Sequence, residues 1–386
     1  MKIKVRPEDF IVREILSISP SKVGNWVICL IEKRNTNTLD VLKDMARRLA
    51  ISLSEIGYLG LKDKYSLSYQ YVSIPVNKFK EIVAKNYRLS FFGYFDRPLK
   101  KDDLICNEFE ITVRDVNLPS EVILKRIMEV RDWGFVNYYD EQRFGSARHG
   151  KGFVVKELIK GDFEKAMRLY IGEPSKYDDS DVKKWKKSVK ASWPCFDVVV
   201  ETAPKIYKRI VAFLSEREPS KSTFRKAFNY VEDAEKDLLI TAYQSYIWNN
   251  TSSKLVCRFF EPSEIVKVPY FYGYMYFYGS LRGREFLLEL DVPAVSPKLK
   301  VEGLLGEVID EVLREEGING LENFKLPLTN WLFRSYRRKF IVVPDSMEYY
   351  SSIDEVYPGK KKWVLKFRLP PGSFATVLVK RIFGAP

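Results

Sequence analysis

The first part of the chain alternates apolar and polar positions in a way that predicts strands around one helix. Phe10 and Val12 alternate with their neighbours after a proline turn, which predicts a half-buried strand, and residues 26–31 predict another. Thr38 can cap a helix, because the apolar residues that follow it have helical spacing. These residues are Leu39, Leu42, Met45, Ala46 and Leu49. An apolar run at 56–61 and an alternating stretch at 69–74 predict two more strands.

The rest of the chain has a mixed pattern, then a helical one, then strands again. The predicted strands are 91–95, 108–113, 340–343 and 362–369, and the predicted helices are 119–133 and 234–249. Lysine-rich helical segments begin near residue 155, and short strands and turns fill 270–283. A turn followed by a helix closes the chain. This order predicts an α+β protein.

One carboxylate lies in an unusual place. Asp63 stands between Lys62 and Lys64, directly after the apolar run, so we expect it at a strand end close to packed structure. The flanking ammonium groups favour the ionised carboxylate, which can act as a nucleophile or a base at the edge of a core. On these residues alone, a simple turn between two strands is the more common interpretation.

Composition narrows the class of protein. The 386 residues suffice for two domains, and 46% hydrophobic residues argue against disorder. Lys and Arg number 64 against 51 Asp and Glu, which gives a formal charge of +13. This excess suits a polyanionic partner, although a Lys/Glu-rich proteome would also produce it.

Several kinds of chemistry find no support in the sequence. The four cysteines have no paired spacing and His149 is the single histidine, so we expect no metal site and no histidine-based triad. The N-terminus lacks an apolar signal core, and no segment has the length of a membrane span. We therefore expect a cytoplasmic protein that does not associate with membranes.

A second candidate site follows the helix predicted at 119–133. Asn137, Tyr138, Tyr139, Gln142 and Arg143 lie within seven residues of one another. Tyrosines stack on bases, and amide side chains can bond base edges. The segment therefore suits a planar, hydrogen-bonding ligand, and a surface loop with aromatic packing is an equally good interpretation.

Five motifs together give the chain a specific resemblance. They are Pro7-Glu8-Asp9-Phe10-x-Val12-x-Glu14, Gly60-Leu61-Lys62-Asp63-Lys64, Asn137-Tyr138-Tyr139-x-x-Gln142-Arg143-Phe144-Gly145, Gln244-Ser245-Tyr246-x-x-Asn249 and Pro371-Gly372-Ser373-Phe374-Ala375-Thr376. Their types and order resemble those of the TruD family of tRNA pseudouridine synthases, of the archaeal type. Each motif alone is weak evidence, whereas five in register across nearly the whole chain are specific.

The resemblance implies the catalytic residues. The aspartate of the family's Gly-x-Lys-Asp motif is catalytic, which corresponds to Asp63. A lysine that lies three residues before the first motif's proline pairs with that aspartate, and the matching residue is Lys4. Lys64 and Arg143 are competing candidates for the cation that pairs with Asp63.

The resemblance also implies substrate-binding residues. Asn137 and Tyr139 match the family positions that flank the target base, and bacterial relatives carry phenylalanine at the position of Tyr139. Arg143 and Phe10, from the third and first motifs, are the further substrate-binding candidates. No metal or other cofactor is implied.

The implied architecture has two parts. Residues 1–155 and 338–386 would form a pseudouridine synthase catalytic domain with a mixed, mainly antiparallel sheet. Residues 156–337 would form an inserted α/β TRUD domain that helps to form an RNA cleft. The resemblance does not assign the helix that contains Gln244 to either domain.

The implied reaction detaches the base of a uridine in tRNA, rotates it and rejoins it to the sugar through C5. Position 13 is the family's usual target, and an anticodon-loop uridine is the alternative. We expect a monomer. Two rival interpretations are a basic RNA-binding protein without catalysis and a hydrolase that uses Asp63 as a glycosidase-type nucleophile. A retaining glycosidase needs a second carboxylate about 5 Å away, and none is evident near Asp63 in the sequence.

Overall fold

The computed structural model describes residues 1–147 and 149–384, and it shows a mixed α+β protein. The strands are β1 (Phe10–Leu16), β2 (Trp26–Arg34), β3 (Gly57–Tyr58), β4 (Leu67–Pro75), β5 (Ile82–Val83), β6 (Tyr87–Phe95), β7 (Leu104–Val113), β8 (Phe135–Val136), β9 (Ile265–Tyr270), β10 (Gly273–Tyr278), β11 (Asp291–Pro293), β12 (Arg337–Lys339), β13 (Ile341–Val342), β14 (Asp345–Ile353) and β15 (Lys361–Leu369). The α-helices are α1 (Thr38–Leu49), α2 (Ser120–Trp133), α3 (Val154–Ile159), α4 (Phe163–Met167), α5 (Ser180–Ser192), α6 (Lys205–Ser215), α7 (Lys221–Ala227), α8 (Asp233–Phe259), α9 (Gly303–Glu315) and α10 (Ala375–Phe383).

The chain divides into two compact units. The first contains Met1–Phe135 and the residues from Val342 onward, and the second contains Val136–Ile341. The division falls near residue 136, whereas the sequence predicted a domain boundary at 155. The predicted domain assignment stays a prediction.

A nine-stranded sheet organises the described part of the first unit. Its strand order is β14-β15-β7-β1-β4-β2-β6-β5, and β3 pairs with β4 at one side of this path. β1 and β4 are parallel, whereas the pairs of β1 with β7 and of β2 with β4 are antiparallel. Alternate residues of β1, among them Phe10 and Val12, are buried, as the sequence pattern predicted.

Helix α1 covers one face of this sheet. Its buried side chains are Val41, Leu42, Met45, Ala46 and Leu49, and they pack on Val27, Cys29, Ile31, Val72 and Ile74 of β2 and β4. Burial of one such aliphatic side chain contributes roughly 1.5–3 kcal/mol. The packing therefore fixes the start of α1 and the strands that flank the Asp63 loop.

Helix α8 is the central element of the second unit. It has 27 residues, and buried side chains occur along its whole length. Gln244 is one of its buried polar residues and donates to the carbonyls of Val295 and Arg334, at 2.7 and 3.0 Å. The helix that the sequence left unassigned therefore lies in the second unit.

Three local predictions differ from the structure. The residue at the N-cap of α1 is Asn37, and Thr38 is the first helical residue. The hydroxyl of Thr38 instead contacts Lys62 and Gln70. The strand predicted at 56–61 is limited to Gly57–Tyr58, and α8 continues ten residues beyond the predicted end at 249 because apolar residues keep helical spacing to Phe259.

None of the described helices is both long and apolar enough to cross a membrane. The predicted cytoplasmic location stays a prediction.

A buried arginine joins the N-terminal motif to the β14–β15 connection. Arg114 donates to both carboxylate oxygens of Asp9, at 2.8 to 3.0 Å, and to Asp354 at 2.7 Å. It also donates to the more exposed Glu355 at 2.8 Å. Arg114, Asp9 and Asp354 are at most 3% exposed, so each buried carboxylate depends on this guanidinium for its counter-charge.

We predict that Arg114→Met lowers the free energy of unfolding by about 3–5 kcal/mol, because it leaves two buried carboxylates without their cation. Urea unfolding of the full chain measures the change. Arg131→Met is the control, since Arg131 pairs with its exposed neighbour Asp132. This substitution should cost less than about 1 kcal/mol. Equal effects of the two substitutions would contradict the buried network.

Candidate active site

Asp63 and Lys4 form an ion pair in the first unit. Asp63 lies in the connection between β3 and β4, and its Oδ2 accepts a 2.9 Å hydrogen bond from Nζ of Lys4. The two side chains are 18% and 22% exposed, so a ligand can reach them. The structure thus brings together the two residues that the resemblance paired, although they are 59 positions apart.

The conformation of Lys4 is unusual. Its φ of +59° lies in the left-handed region that residues other than glycine seldom occupy. The ammonium group lies 4.1 Å from the centroid of the Phe10 ring, which is a cation–π contact. Phe10 is 1% exposed, and the contact it makes in the site is with Lys4. Its contact with substrate stays a prediction.

A second lysine, Lys33, fixes the backbone of the Asp63 loop through hydrogen bonds. Nζ of Lys33 donates to the carbonyls of Asp63 at 2.7 Å and Thr36 at 3.0 Å. The hydroxyl of Ser66 also donates to the Asp63 carbonyl, at 2.8 Å. Lys33 is fully buried. Burial lowers its pKa to about 8, while the Asp63 carboxylate opposes that shift and the neighbouring ammonium groups add to it.

Lys62 turns away from Asp63 and pairs with Glu14. The Glu14 carboxylate is buried, and it also accepts a 2.6 Å hydrogen bond from the backbone N–H of Tyr71. Burial raises the pKa of Glu14, and the Lys62 ammonium group partly offsets this effect. The backbone N–H of Lys62 donates to Thr38 at 3.0 Å. The residue before Asp63 is therefore fixed at both its side chain and its backbone.

The sequence reasoning missed the role of Lys33, although a signal was present. Lys33 continues the spacing of Cys29 and Ile31 along β2, and this alternation places it on the buried face. A lysine at a buried position requires a polar partner. Lys64, in contrast, is exposed and lies 5.4 Å from the Tyr65 ring, so Lys4 is the cation that the structure pairs with Asp63.

The second unit collects the other predicted residues. Asn137 is buried, and its side-chain oxygen accepts a 2.7 Å hydrogen bond from Arg338 while its amide nitrogen donates to Lys339 at 3.3 Å. Its backbone N–H donates to Phe340 at 2.8 Å. Asn137 thus positions Arg338 in the structure.

Tyr139 lies in a closely packed aromatic and cationic environment. The guanidinium carbon of Arg338 lies 4.2 Å from its ring centroid, and the ring of Trp248 meets it edge-on at 5.5 Å. Its hydroxyl donates to Tyr336 at 3.1 Å. The Asn249 side chain bonds both the N–H and the carbonyl of Tyr139, at 2.9 and 2.8 Å. Burial raises the pKa of Tyr139, so its hydroxyl stays protonated.

Arg143 also lies near the Tyr139 ring. Its Nε donates to the Ser245 hydroxyl at 3.2 Å, and its guanidinium carbon lies 5.6 Å from the Tyr139 ring centroid. Asn137, Tyr139 and Arg143 are therefore neighbours in the second unit. Arg338 was not predicted, because a run of basic residues such as 337–339 indicates phosphate contacts and does not indicate a stacked guanidinium.

The two groups of residues offer different chemistry. The first unit presents a partly exposed carboxylate with one ammonium partner, which can act as a nucleophile or a base. The second presents guanidinium groups and a tyrosine ring, which suit a planar, partly anionic ligand. Among the described residues, no group of His, Cys, Asp and Glu is arranged to hold a metal ion.

Comparison with known proteins decides the family. The family model of tRNA pseudouridine synthase D (TruD) matches residues 1–267 and 284–382. The chain belongs to the TruD family. The predicted family is thereby confirmed, and the chain is a tRNA pseudouridine synthase-like isomerase whose substrate is tRNA.

Individual TruD relatives match over nearly their whole length. Probable tRNA pseudouridine synthase D 2 of Methanocaldococcus jannaschii is 30% identical over 99% of this chain and 92% of the relative. The tRNA pseudouridine synthase D of Aquifex aeolicus is 29% identical over 99% of this chain and 98% of the length of that relative. A solved TruD structure from Methanosarcina mazei has a TM-score of 0.73 and 26% identity, and covers 99% of this chain and 93% of that one. The predicted α+β fold with a mainly antiparallel sheet is confirmed.

We predict that stability depends on pH through Lys33. Its pKa in the folded protein, about 8, lies below its ordinary value of 10.5, so between these values the unfolded chain binds more protons. Stability therefore rises with pH across this window. Relative to Lys33→Met, the wild type should gain roughly 1–3 kcal/mol in urea unfolding between pH 8 and pH 10.5.

Lys64→Met is the matched control for this measurement, because Lys64 is exposed on the same loop. Its difference from the wild type should not change over the same pH window. A pH-independent difference for Lys33→Met would show that Lys33 is not a buried ammonium group.

Proposed function

We propose that this protein converts the uridine at position 13 of tRNA to pseudouridine, with Asp63 as its catalytic carboxylate. The observation that carries the proposal is the ion pair between Lys4 and Asp63, the aspartate of the Gly-x-Lys-Asp motif. Position 13 rests on the family resemblance, as does the monomeric state.

The reaction breaks the N1–C1′ bond of uridine and forms a C5–C1′ bond. C5 loses its proton and N1 gains one, so the product is an isomer of the substrate. Asp63 acts either as the nucleophile at C1′ or as the base that removes a proton from the sugar. Both routes require the ionised carboxylate.

Lys4 acts as a positioning residue in this proposal. Its ammonium group holds one oxygen of Asp63 at 2.9 Å and lies against the Phe10 ring. Phe10 therefore supports the reaction through Lys4. Lys33 and Ser66 both donate to the Asp63 carbonyl. These hydrogen bonds fix the backbone from which the Asp63 side chain extends.

Tyr139, Asn137 and Arg143 are the proposed base-binding residues, and Arg338 joins them. A base must leave its stack to react, and aromatic and guanidinium planes are the surfaces that usually receive it. The hydroxyl of Tyr139 bonds another tyrosine, so we propose that its ring, rather than its hydroxyl, contacts uracil. The formal charge of +13 favours the phosphate backbone of tRNA.

The proposed function is tested with tRNA that carries labelled uridine. After incubation with the wild-type protein, nucleoside analysis should show pseudouridine, and mapping should place it at position 13. A transcript with cytidine at position 13 is the matched control and should give no product. Pseudouridine in the anticodon loop would relocate the target, free uracil would indicate a hydrolase, and neither product would contradict catalysis.

We predict that Asp63→Asn lowers the single-turnover rate by about 10³-fold or more, because an amide is neither a nucleophile nor a base at this position. Affinity for tRNA should change by less than about threefold, since the basic surface is retained. Filter binding and rapid-quench nucleoside analysis measure the two quantities.

The matched control for this prediction is Asp115→Asn. Asp115 pairs with Lys2 at 3.5 Å in the same unit, so the substitution removes a comparable Lys–Asp pair. It should leave the rate nearly unchanged. Turnover by purified Asp63→Asn at a rate close to that of the control would contradict the catalytic role of Asp63.

A further inference from the structure

A cavity of about 310 Å³ opens in the second unit beside Arg143. Its wall includes His149, Tyr170, Lys186 and Tyr207, none of which the proposed reaction uses. Its volume lies at the lower end of the range of small-molecule sites, about 300–1,000 Å³. It is therefore a candidate for a small, compact ligand.

His149 lines this cavity and carries a hydrogen-bond donor that has no partner among the described residues. Its Nδ1 accepts a 3.1 Å hydrogen bond from the backbone N–H of Lys151. Burial, together with the nearby Lys186 ammonium group, lowers the pKa of His149 to about 4, so the ring is neutral near pH 7. Since Nδ1 is an acceptor, the single proton of the neutral ring lies on Nε2. This Nε2 atom is buried without a partner among the described residues.

Tyr170 supplies a second polar group without a partner. The residue is 6% exposed, and its hydroxyl is buried with no hydrogen-bond partner in the described chain. Burial raises its pKa, so the hydroxyl keeps its proton and can donate. Its ring stands at 83° to that of Tyr207, with 5.4 Å between centroids. A buried hydroxyl without a partner destabilises a protein by about 1–3 kcal/mol, which a bound ligand would recover.

The charges of the cavity favour a neutral ligand. Lys186 is 7% exposed and pairs with Asp178 at 3.2 Å, so its charge is already balanced. Asp178 also accepts a 2.7 Å hydrogen bond from the backbone N–H of Ser175. Arg143 and Glu235, one residue of each sign, also line the cavity, so the wall carries no excess of positive charge for a buried phosphate. A flat neutral group with acceptor oxygens fits the two available donors and the tyrosine rings.

We propose that this cavity binds one unstacked nucleobase of the tRNA substrate, other than the target uracil, through a keto oxygen that accepts from His149 and Tyr170. Proteins that recognise RNA read splayed-out bases in this way, by contact with aromatic rings and by hydrogen bonds to base edges. The inference rests on the proposed function, since it takes tRNA as the ligand.

The test uses the double variant His149→Asn with Tyr170→Phe. Asparagine can keep the acceptor for Lys151 and removes the Nε2 donor, while phenylalanine keeps the ring and removes the hydroxyl. We expect KM for tRNA to rise about tenfold as two hydrogen bonds are lost, with kcat within twofold. The thermal midpoint should stay unchanged or rise, because the Tyr170 hydroxyl has no partner among the residues that the structure describes. A purely structural role would instead lower the midpoint.

Tyr87→Phe is the matched control, because its hydroxyl donates to Asp44 at 2.8 Å in the first unit. It should lower the thermal midpoint and leave KM unchanged. An unchanged KM in the double variant, or a loss in kcat alone, would overturn the proposal.

Carbodiimide modification of guanine and uracil bases tests binding without turnover. In the complex of tRNA with Asp63→Asn, one base besides the target uridine should be protected, and the double variant in that background should expose it again. The same pattern of protection in both proteins would overturn the proposed pocket. Failure of the wild type to make pseudouridine would sink the proposed function, while this comparison would still decide whether the pocket binds RNA.

Discussion

The ion pair between Lys4 and Asp63 is the interaction on which the proposed chemistry of the first unit depends. A charged carboxylate beside an apolar core needs a counter-ion within hydrogen-bonding distance and a fixed backbone. Lys4 supplies the first requirement, and Lys33, with its 2.7 Å hydrogen bond to the Asp63 carbonyl, supplies the second. The pairing of Lys62 with Glu14 adds a third constraint, because it turns the preceding residue away from the site.

The sheet explains how residues from distant motifs meet. The parallel pairing of β1 with β4 places Glu14 beside Tyr71 and the loop that carries Lys62 and Asp63. Arg114 then holds the start of the chain through Asp9, close to Lys4 in sequence. Charged residues of the first two family motifs therefore pair with each other, as Glu14 does with Lys62, or with a residue next to the sheet, as Asp9 does with Arg114. The motifs mark an assembled site as well as individual reactive groups.

Much of this arrangement could be predicted from the sequence, and the physical reasons for the rest are specific. Period-two alternation predicted β1, β2 and β4, and the glycine-bounded run placed Asp63 between strands. The contacts of Thr38 and Asn249 could not be predicted, since a polar side chain does not show in its own sequence which distant backbone group it will bond. The Arg338–Tyr139 contact could not be predicted for the same reason, because it joins residues about 200 positions apart in the sequence.

The measurement that tests this account most directly is the single-turnover rate of pseudouridine formation in Lys4→Met and Lys64→Met. If Lys4 positions the Asp63 carboxylate through the 2.9 Å hydrogen bond, Lys4→Met should lower this rate by about 10- to 150-fold, because a hydrogen bond between charged groups is worth about 1.5–3 kcal/mol. Lys64→Met, whose side chain is exposed, should keep the wild-type rate. A wild-type rate for Lys4→Met would contradict the account.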